Sequence, residues 1–157
     1  MTTDTPQLNA HNKAEFPSAH SAEHILNQAM VRMFGCSRSR VNHIERKKSK
    51  CNYDLPTSPT EEQIRAIEAE VNRIIAADLP ITSRYVTRDE VPENIDLSKL
   101  PADVSETLRL VYVGDYDVCP CLGAHVEHTG AIGSFRISST SYNDGNFRIV
   151  FRVSATV

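Results

Sequence analysis

The sequence predicts an α/β fold in the α+β sense, with long helices packed against a mostly antiparallel sheet. Two segments, within residues 18–34 and after Thr60, carry apolar residues at helical spacing. Several shorter segments alternate apolar and polar residues as strands do. The turn-forming stretch from Asn143 to Asn146 joins the last two of these strands and predicts a hairpin. Helices combined with hairpin-connected strands are typical of this fold class.

Two helices are predicted, each with an identifiable end. The first covers residues 18–34 and stops at Gly35. The second follows Thr60, which has capping-box spacing to Gln63, and ends before Pro80. The apolar side of the first helix consists of Ile25, Leu26, Ala29, Met30, Met33 and Phe34, and that of the second consists of Ile64, Ile67, Val71, Ile74 and Ile75.

The predicted strands are short and separated by turns or loops. They cover residues 41–45, 51–55, 81–87, 108–113, 132–139 and 147–157. Residues 46–50 form a basic turn between the first two, and residues 88–106 form a loop with a short helical turn. In the last strand Phe147, Ile149, Phe151 and Val153 alternate with polar or smaller residues, so that one face packs on the core.

Length and composition indicate one domain, over residues 16–157, after a flexible tail of residues 1–15. No apolar run approaches 18 residues, so no membrane contact is expected. The polar N-terminus lacks the apolar region of a secretory signal, and a cytoplasmic location is expected. In that compartment the four cysteines favour metal binding over a disulfide framework. The oligomeric state is left open.

Positive charge is concentrated in one stretch although the net charge is −3. Seven cations fall within nineteen residues, and Glu45 is the only acid among them: Arg32, Arg38, Arg40, Arg46, Lys47, Lys48 and Lys50. Such a patch is suited to nucleic-acid phosphates. A solvated loop or hairpin explains the same pattern equally well.

Two short motifs about a hundred residues apart supply four candidate metal ligands. His20 and His24 are four residues apart in a predicted helix, so both imidazoles lie on one face. Cys121 and His125 supply a thiolate and a third imidazole. Three histidines and one cysteine suit tetrahedral Zn²⁺. Cys119 is an alternative thiolate, whereas His43 and His128 are expected to be surface or packing residues.

These motifs give the chain its resemblance to a known family. The stretches 20–26, 67–75 with 78–81, 121–126 and 128–137 resemble, in order, motifs of the alanyl-tRNA synthetase editing domain and of its free-standing relatives, the AlaX proteins. The resemblance runs from about His20 to Val153. It implies the editing-domain fold shared by alanyl- and threonyl-tRNA synthetases. The spacing of Cys121 to His125 matches the family, which favours Cys121 over Cys119.

The resemblance implies a zinc-dependent deacylase acting in trans on mischarged tRNA(Ala), typically Ser-tRNA(Ala) or Gly-tRNA(Ala). The chain looks like the short AlaX form, so neither ATP binding nor ATP-dependent ligation is expected. The basic residues Arg46, Lys47 and Lys48 are candidates for holding the acceptor stem.

Two departures from the family pattern concern specificity and activity. The family usually has Gly-Gly-Thr between the second-motif Cys and His, whereas this chain has Leu122, Gly123 and Ala124. The missing hydroxyl and the added bulk leave the amino acid unassigned. They also leave open a non-catalytic relative that binds zinc and tRNA or an amino acid, and a hydrolase for another small aminoacyl ester or amide.

The catalytic mechanism is also left open by the sequence. An ion with four protein ligands is coordinatively closed, so catalysis needs a departing ligand, a fifth position or only three true ligands. Glu23 lies about 100° round the helix from each neighbouring histidine, so helical spacing gives no reason to assign it as a general base. No catalytic residue is assigned.

Overall fold

The computed structural model describes residues 16–39, 41–45, 48–90, 107–121 and 123–154. The predicted tail of residues 1–15 and most of the predicted loop 88–106 lie outside these ranges. Within them, no helix has the length and apolar character needed to cross a membrane.

The described residues form two α-helices, α1 (Pro17–Phe34) and α2 (Glu61–Ala77). Both were predicted, but the expectation of long helices is not confirmed, because they have 18 and 17 residues. Each is limited by a left-handed residue at its C-terminus. Gly35 has φ 70° after α1, and Asp78 has φ 54° after α2. Single 3₁₀ turns occur at Arg88–Glu90 and Thr129–Ile132.

In the described part of the chain, seven strands form two antiparallel sheets instead of the single sheet that the sequence predicted. The strands are β1 (Val41–His43), β2 (Ser49–Asp54), β3 (Ile81–Thr87), β4 (Thr107–Val113), β5 (Asp117–Pro120), β6 (Phe135–Asn143) and β7 (Asn146–Val153). The larger sheet has the order β1-β2-β7-β6, and the smaller has the order β3-β4-β5.

The single-sheet prediction was wrong because β5 was not recognised. The predicted strands leave out residues 114–131, whereas Asp117 already pairs with Val113. β5 therefore occupies one edge of β4 while β3 occupies the other, and no edge of β4 is left to join the larger sheet. The short β5 carries Cys119 inside the strand and ends one residue before Cys121.

The core lies between the two helices and the larger sheet. Its fully buried side chains include Ile25, Leu26, Met30, Ile67, Val71, Tyr53, Phe147, Ile149 and Phe151. The alternation predicted for the last strand is therefore confirmed, with Phe147, Ile149 and Phe151 on the buried face. Asn72 of α2 bonds both the N–H and the carbonyl of Phe135, which fixes this helix to β6.

The first half of α1 differs from the rest of the core because it buries polar side chains. Ser21, Glu23, His24 and Asn27 are each less than a tenth exposed, and they alternate with fully buried Ala22, Ile25 and Leu26. Buried polar groups are expensive unless they have partners. This segment of α1 is therefore a place where the fold is organised around polar contacts.

The predicted capping box at the start of α2 provides a test of local stability. Gln63 N–H donates to Thr60 Oγ1, and Thr60 N–H donates to the Gln63 side chain. We expect Thr60→Ala to lower the free energy of unfolding by about 1 kcal/mol, because it removes the acceptor for one backbone N–H. Urea denaturation followed by circular dichroism measures the change. Thr60→Ser keeps the hydroxyl and serves as the control; equal midpoints for the two variants would contradict the prediction.

Candidate metal centre

The structure brings the four predicted ligands together. One ligand atom from each of His20, His24, Cys121 and His125 lies within 4.8 Å of the others. The imidazole ring of His125 contacts both histidine rings of α1. Its centroid lies 4.1 Å from the ring centroid of His20 and 4.5 Å from that of His24. Among the described residues this is the one group of metal-binding side chains with this proximity.

Two distances between donor atoms are close to those of a tetrahedral zinc site. Cys121 Sγ lies 3.2 Å from His20 Nε2 and 3.5 Å from His125 Nε2. With zinc bonds of about 2.3 Å to sulfur and about 2.0 Å to nitrogen, tetrahedral geometry separates the two ligand atoms by about 3.5 Å. The set of three imidazoles and one thiolate also has the chemistry that Zn²⁺ prefers. The residues present therefore fit zinc.

Two of the imidazoles are oriented by contacts at the nitrogen that faces away from the cluster. His20 Nδ1 lies 3.1 Å from the carbonyl oxygen of Ala124. His125 Nδ1 lies 2.9 Å from Ser21 Oγ, which also accepts the N–H of Val126. Partners of this kind fix the tautomer and the ring orientation of metal-binding histidines. They leave both Nε2 atoms directed at Cys121.

The third imidazole faces a buried carboxylate. His24 Nδ1 lies 3.7 Å from Asp117 Oδ2, which is ion-pair and not hydrogen-bond distance. His24 Nδ1 is a buried atom that makes no hydrogen bond within the described residues. Asp117 is itself held by Arg38, at 2.7 Å, and by Gln28, at 2.8 Å. The carboxylate is therefore fixed beside the imidazole by two other side chains.

The electrostatics of the cluster favour the ligand form of the cysteine. Burial raises the pKa of the Cys121 thiol, but its contacts with His125, His20 and His24 outweigh burial and bring the pKa far below its usual range. Burial lowers the pKa of His125 to about 4, against the opposing effect of Cys121. Both shifts favour forms that bind metal, a thiolate and a neutral imidazole.

Asp117 has its own electrostatic environment. Burial raises the pKa of this carboxyl, but His24 and Arg38 together lower it far below its usual range. Asp117 is thus an anion next to the imidazole of His24. In this position it increases the basicity of the ring, as carboxylates beside metal-bound histidines do.

The loop that carries Cys121 and His125 is fixed from two directions. Arg109 of β4 donates to the carbonyl of Gly123 at 2.7 Å and more weakly to that of Cys121 at 3.4 Å. Cys121 N–H donates to the carbonyl of Arg109, continuing the pairing of β5 with β4. On the other side, Ser21 Oγ of α1 accepts a hydrogen bond from the N–H of Val126. The smaller sheet and α1 together position the second pair of ligands.

The remaining candidate residues do not join the cluster. Cys119 is outside the ligand group, and burial raises the pKa of its thiol, so Cys121 is the thiolate placed with the histidines. The side chain of His128 is half exposed and contacts Asp78, and His43 is exposed on β1. Both histidines lie at the surface, one of the two locations expected for them from the sequence.

The basic stretch is divided by the structure. Arg32 packs over the ring of Tyr116 and donates to its carbonyl, and Arg38 pairs with buried Asp117, so both support the fold beside the cluster. Lys48 is exposed in the turn between β1 and β2, as an RNA contact requires. Arg46 and Lys47 lie outside the described residues, as does Leu122.

Sequence reasoning missed the residues that support the ligands. Ser21, Asp117 and Arg109 touch the cluster or its loop, but no spacing rule connects them to His20 or Cys121. The one available signal was Asp117, an acid four residues before Cys121 in a stretch that no predicted strand covers. Its role became visible only with β5 and with the burial of its side chain.

Comparison with known proteins agrees with the motifs. The family described as the threonyl and alanyl tRNA synthetase second additional domain matches residues 108–150, a segment that includes Cys121 and His125. An alanine–tRNA ligase of Halorubrum lacusprofundi is 32% identical over 154 aligned positions, covering 92% of this chain. This chain is a relative of the alanyl-tRNA synthetase editing domain.

Alanine–tRNA ligases from other organisms are similar to this chain to a comparable degree. Alanine–tRNA ligases of Idiomarina loihiensis and Gluconobacter oxydans are 29% and 31% identical, over 85% and 78% of this chain. The chain spans only about 15% of the length of these ligases: 15% in Halorubrum, 16% in Idiomarina and 15% in Gluconobacter. The similarity to an alanyl-tRNA synthetase domain that the motifs indicated is thus confirmed for most of the chain.

The contact between Asp117 and His24 provides a test of metal affinity. We expect Asp117→Asn to weaken zinc binding by about 10- to 100-fold, because it removes the anion that orients His24 and increases its basicity. Competition with a chromophoric chelator measures the affinity. Asp115→Asn, at an exposed acid two residues away, is the control.

Asp117 also pairs with buried Arg38, so the fold must be monitored in the same samples. Urea midpoints separate a loss of metal affinity from a loss of structure. Equal zinc affinities for the two folded variants would show that Asp117 does not support the metal site.

Proposed function

We propose that this protein is a zinc-dependent deacylase that hydrolyses the ester of mischarged tRNA, with tRNA(Ala) carrying serine or glycine as the substrate class. The observation that carries this proposal is the convergence of His20, His24, Cys121 and His125 in a relative of the alanyl-tRNA synthetase editing domain. The reaction adds water to the aminoacyl carbonyl carbon and breaks its bond to the ribose oxygen. The products are a free amino acid and a tRNA with its 3′-terminal hydroxyl restored.

The four ligands would hold the zinc ion, and the surrounding residues prepare them for it. When bound, zinc supplies a Lewis acid that can polarise the ester carbonyl or lower the pKa of water. Ser21 and the Ala124 carbonyl orient His125 and His20, and Asp117 provides the anion beside His24. A site held this firmly on α1 and β4–β5 has the rigidity that catalysis requires.

Exposure indicates the side from which an ester can approach. The side chain of His20 is 14% exposed, whereas that of His24 is 3% exposed and faces Asp117. Cys121 and His125 are partly exposed as well, so we expect the substrate to approach from the side of these three ligands, of which His20 lies near the start of α1. In the loop that carries Cys121 and His125, the Ala124 side chain is exposed. The residue that replaces the family threonine therefore lies at the surface of the candidate site.

Hydrolysis of charged tRNA by the purified protein tests the proposal directly. We expect Ser-tRNA(Ala) and Gly-tRNA(Ala) to be hydrolysed and Ala-tRNA(Ala) to be spared, with activity lost on chelation and restored by zinc. His24→Ala and Cys121→Ala should each reduce bound zinc well below one ion per chain and abolish hydrolysis. His43→Ala, which removes an exposed histidine, is the matched control.

Two results would contradict this function. If zinc is bound but none of the three tRNAs is hydrolysed, the chain is a binding module or acts on another aminoacyl ester. If both ligand variants retain one zinc per chain, the ligand assignment fails. Activity on a small aminoacyl ester without tRNA would indicate the alternative hydrolase.

The turn between β1 and β2 is the proposed RNA contact. We expect the charge reversal of Arg46, Lys47 and Lys48 to glutamate to weaken tRNA affinity and to reduce its salt dependence, because each lost phosphate contact removes about one unit from the slope of log K against log salt. Filter binding at several salt concentrations measures the slope. Reversal of exposed Arg65 and Arg73 on α2 is the control. An unchanged slope for the triple variant would exclude the turn from the RNA interface.

A further inference from the structure

A buried carboxylate lies beside the cluster but has not been given a role. Glu23 is 7% exposed and sits between the two histidines of α1. Its Oε1 atom lies 3.9 Å from His20 Nε2, on the more exposed side of the ligand group. Helical spacing alone turns residue 23 away from its neighbours. The length of the glutamate side chain nevertheless brings Oε1 near His20 Nε2.

The carboxylate is held in a fixed orientation by neutral donors. Asn27 Nδ2 donates to Glu23 Oε2 at 2.7 Å, and Asn42 Nδ2 of β1 donates to the same oxygen at 3.2 Å. Asn27 is fixed in turn, because its own oxygen accepts from Tyr53 and from the N–H of Ser39. Neutral amides orient the carboxylate without cancelling its charge. The second oxygen, Oε1, accepts no hydrogen bond from the described residues.

A carboxylate this buried normally has a cationic partner. No lysine or arginine nitrogen of the described chain lies within 4.0 Å of Glu23, and its one charged-pair contact is the longer one with His20. Glu23 lies outside the ligand group, so a zinc ion held there would be a neighbour of Oε1 without being bound by it. A cation that arrives with the substrate can supply the direct partner. An aminoacyl ester carries such a cation, its α-ammonium group, whereas the RNA part of the substrate carries only negative charge.

Covalent geometry keeps the ammonium group close to the ester carbonyl, and Glu23 Oε1 is similarly close to the ligand group. In an aminoacyl ester the α-nitrogen is separated from the carbonyl carbon by one carbon, and bond lengths put these two atoms about 2.5 Å apart. An ester whose carbonyl reaches the ligand group over His20 therefore carries its α-nitrogen into the neighbourhood of Oε1.

We propose that Glu23 binds the α-ammonium group of the aminoacyl ester through Oε1. This assignment rests on the proposed deacylase function and deepens it, because it makes the free amino group part of the recognised substrate. Serine, glycine and alanine esters all satisfy this requirement. Esters whose α-nitrogen is acylated or replaced by a hydroxyl do not, so Glu23 distinguishes aminoacyl esters from other acyl esters.

Two non-hydrolysable adenosine analogues test the role without depending on turnover. In the first, serine is joined by an amide to 3′-amino-3′-deoxyadenosine; in the second, glyceric acid replaces serine, so that only the α-amine changes to a hydroxyl. Calorimetric titration of the zinc-loaded full chain gives the dissociation constants. We expect a preference for the amine of about 10- to 100-fold, the range of a charge-assisted hydrogen bond.

The variant Glu23→Gln keeps the size of the side chain and an oxygen that Asn27 and Asn42 can approach. We expect it to lose the preference for the amine while its affinity for the hydroxyl analogue and its zinc content stay unchanged. Glu127→Gln removes an exposed carboxylate two residues after His125 and controls for the general loss of charge near the site. It should keep the preference.

Several outcomes would overturn this assignment. Wild-type protein that binds both analogues equally, or neither, has no ammonium site, and a preference that survives Glu23→Gln belongs to another residue. Equal losses of kcat for serine and glyceric acid esters, with unchanged dissociation constants, would make Glu23 a base acting on water. Hydrolysis of Ser-tRNA(Ala) without amine preference would defeat this assignment alone, whereas amine preference without hydrolysis would defeat only the deacylase function.

Discussion

Contact between the first half of α1 and the loop after β5 is the interaction on which the rest of the candidate site depends. Ser21 holds the loop through His125 and Val126, while the Ala124 carbonyl holds His20 in the opposite direction. Each pair of ligands is thus oriented by the segment that carries the other pair. Because these segments are about a hundred residues apart, the site exists only when the whole fold brings them together, and a bound ion would link folding to metal affinity.

The polar interior of α1 follows from this requirement. A helix that packs only for stability would place apolar residues where Ser21, Glu23, His24 and Asn27 lie, and here each of these residues is buried. Hydrogen bonds of Ser21 with His125 and Val126 and of Asn27 with Glu23, and the anion of Asp117 beside His24, offset part of the cost of burial locally. Fully buried apolar residues of the same helix, Ile25, Leu26 and Met30, anchor it in the core.

The two sheets position different residues of the candidate site. The larger sheet supplies the buried face of β7 and places Asn42 of β1 against Glu23. The smaller sheet delivers Cys121 at the end of β5 and holds its loop through Arg109. The candidate site therefore lies where the two sheets meet α1.

The sequence by itself determined both helices, most of the strands, the capping box and the four clustered side chains, because periodicity, turn chemistry and motif spacing are local properties. It also determined the relationship to the alanyl-tRNA synthetase editing domain, which rests on the order of several motifs. Tertiary structure alone decided that the strands form two sheets, that Asp117 faces His24, and that Arg32 and Arg38 support the fold. These depend on which strand edges pair and which side chains are buried, and neither is specified by the residues next to them in the chain.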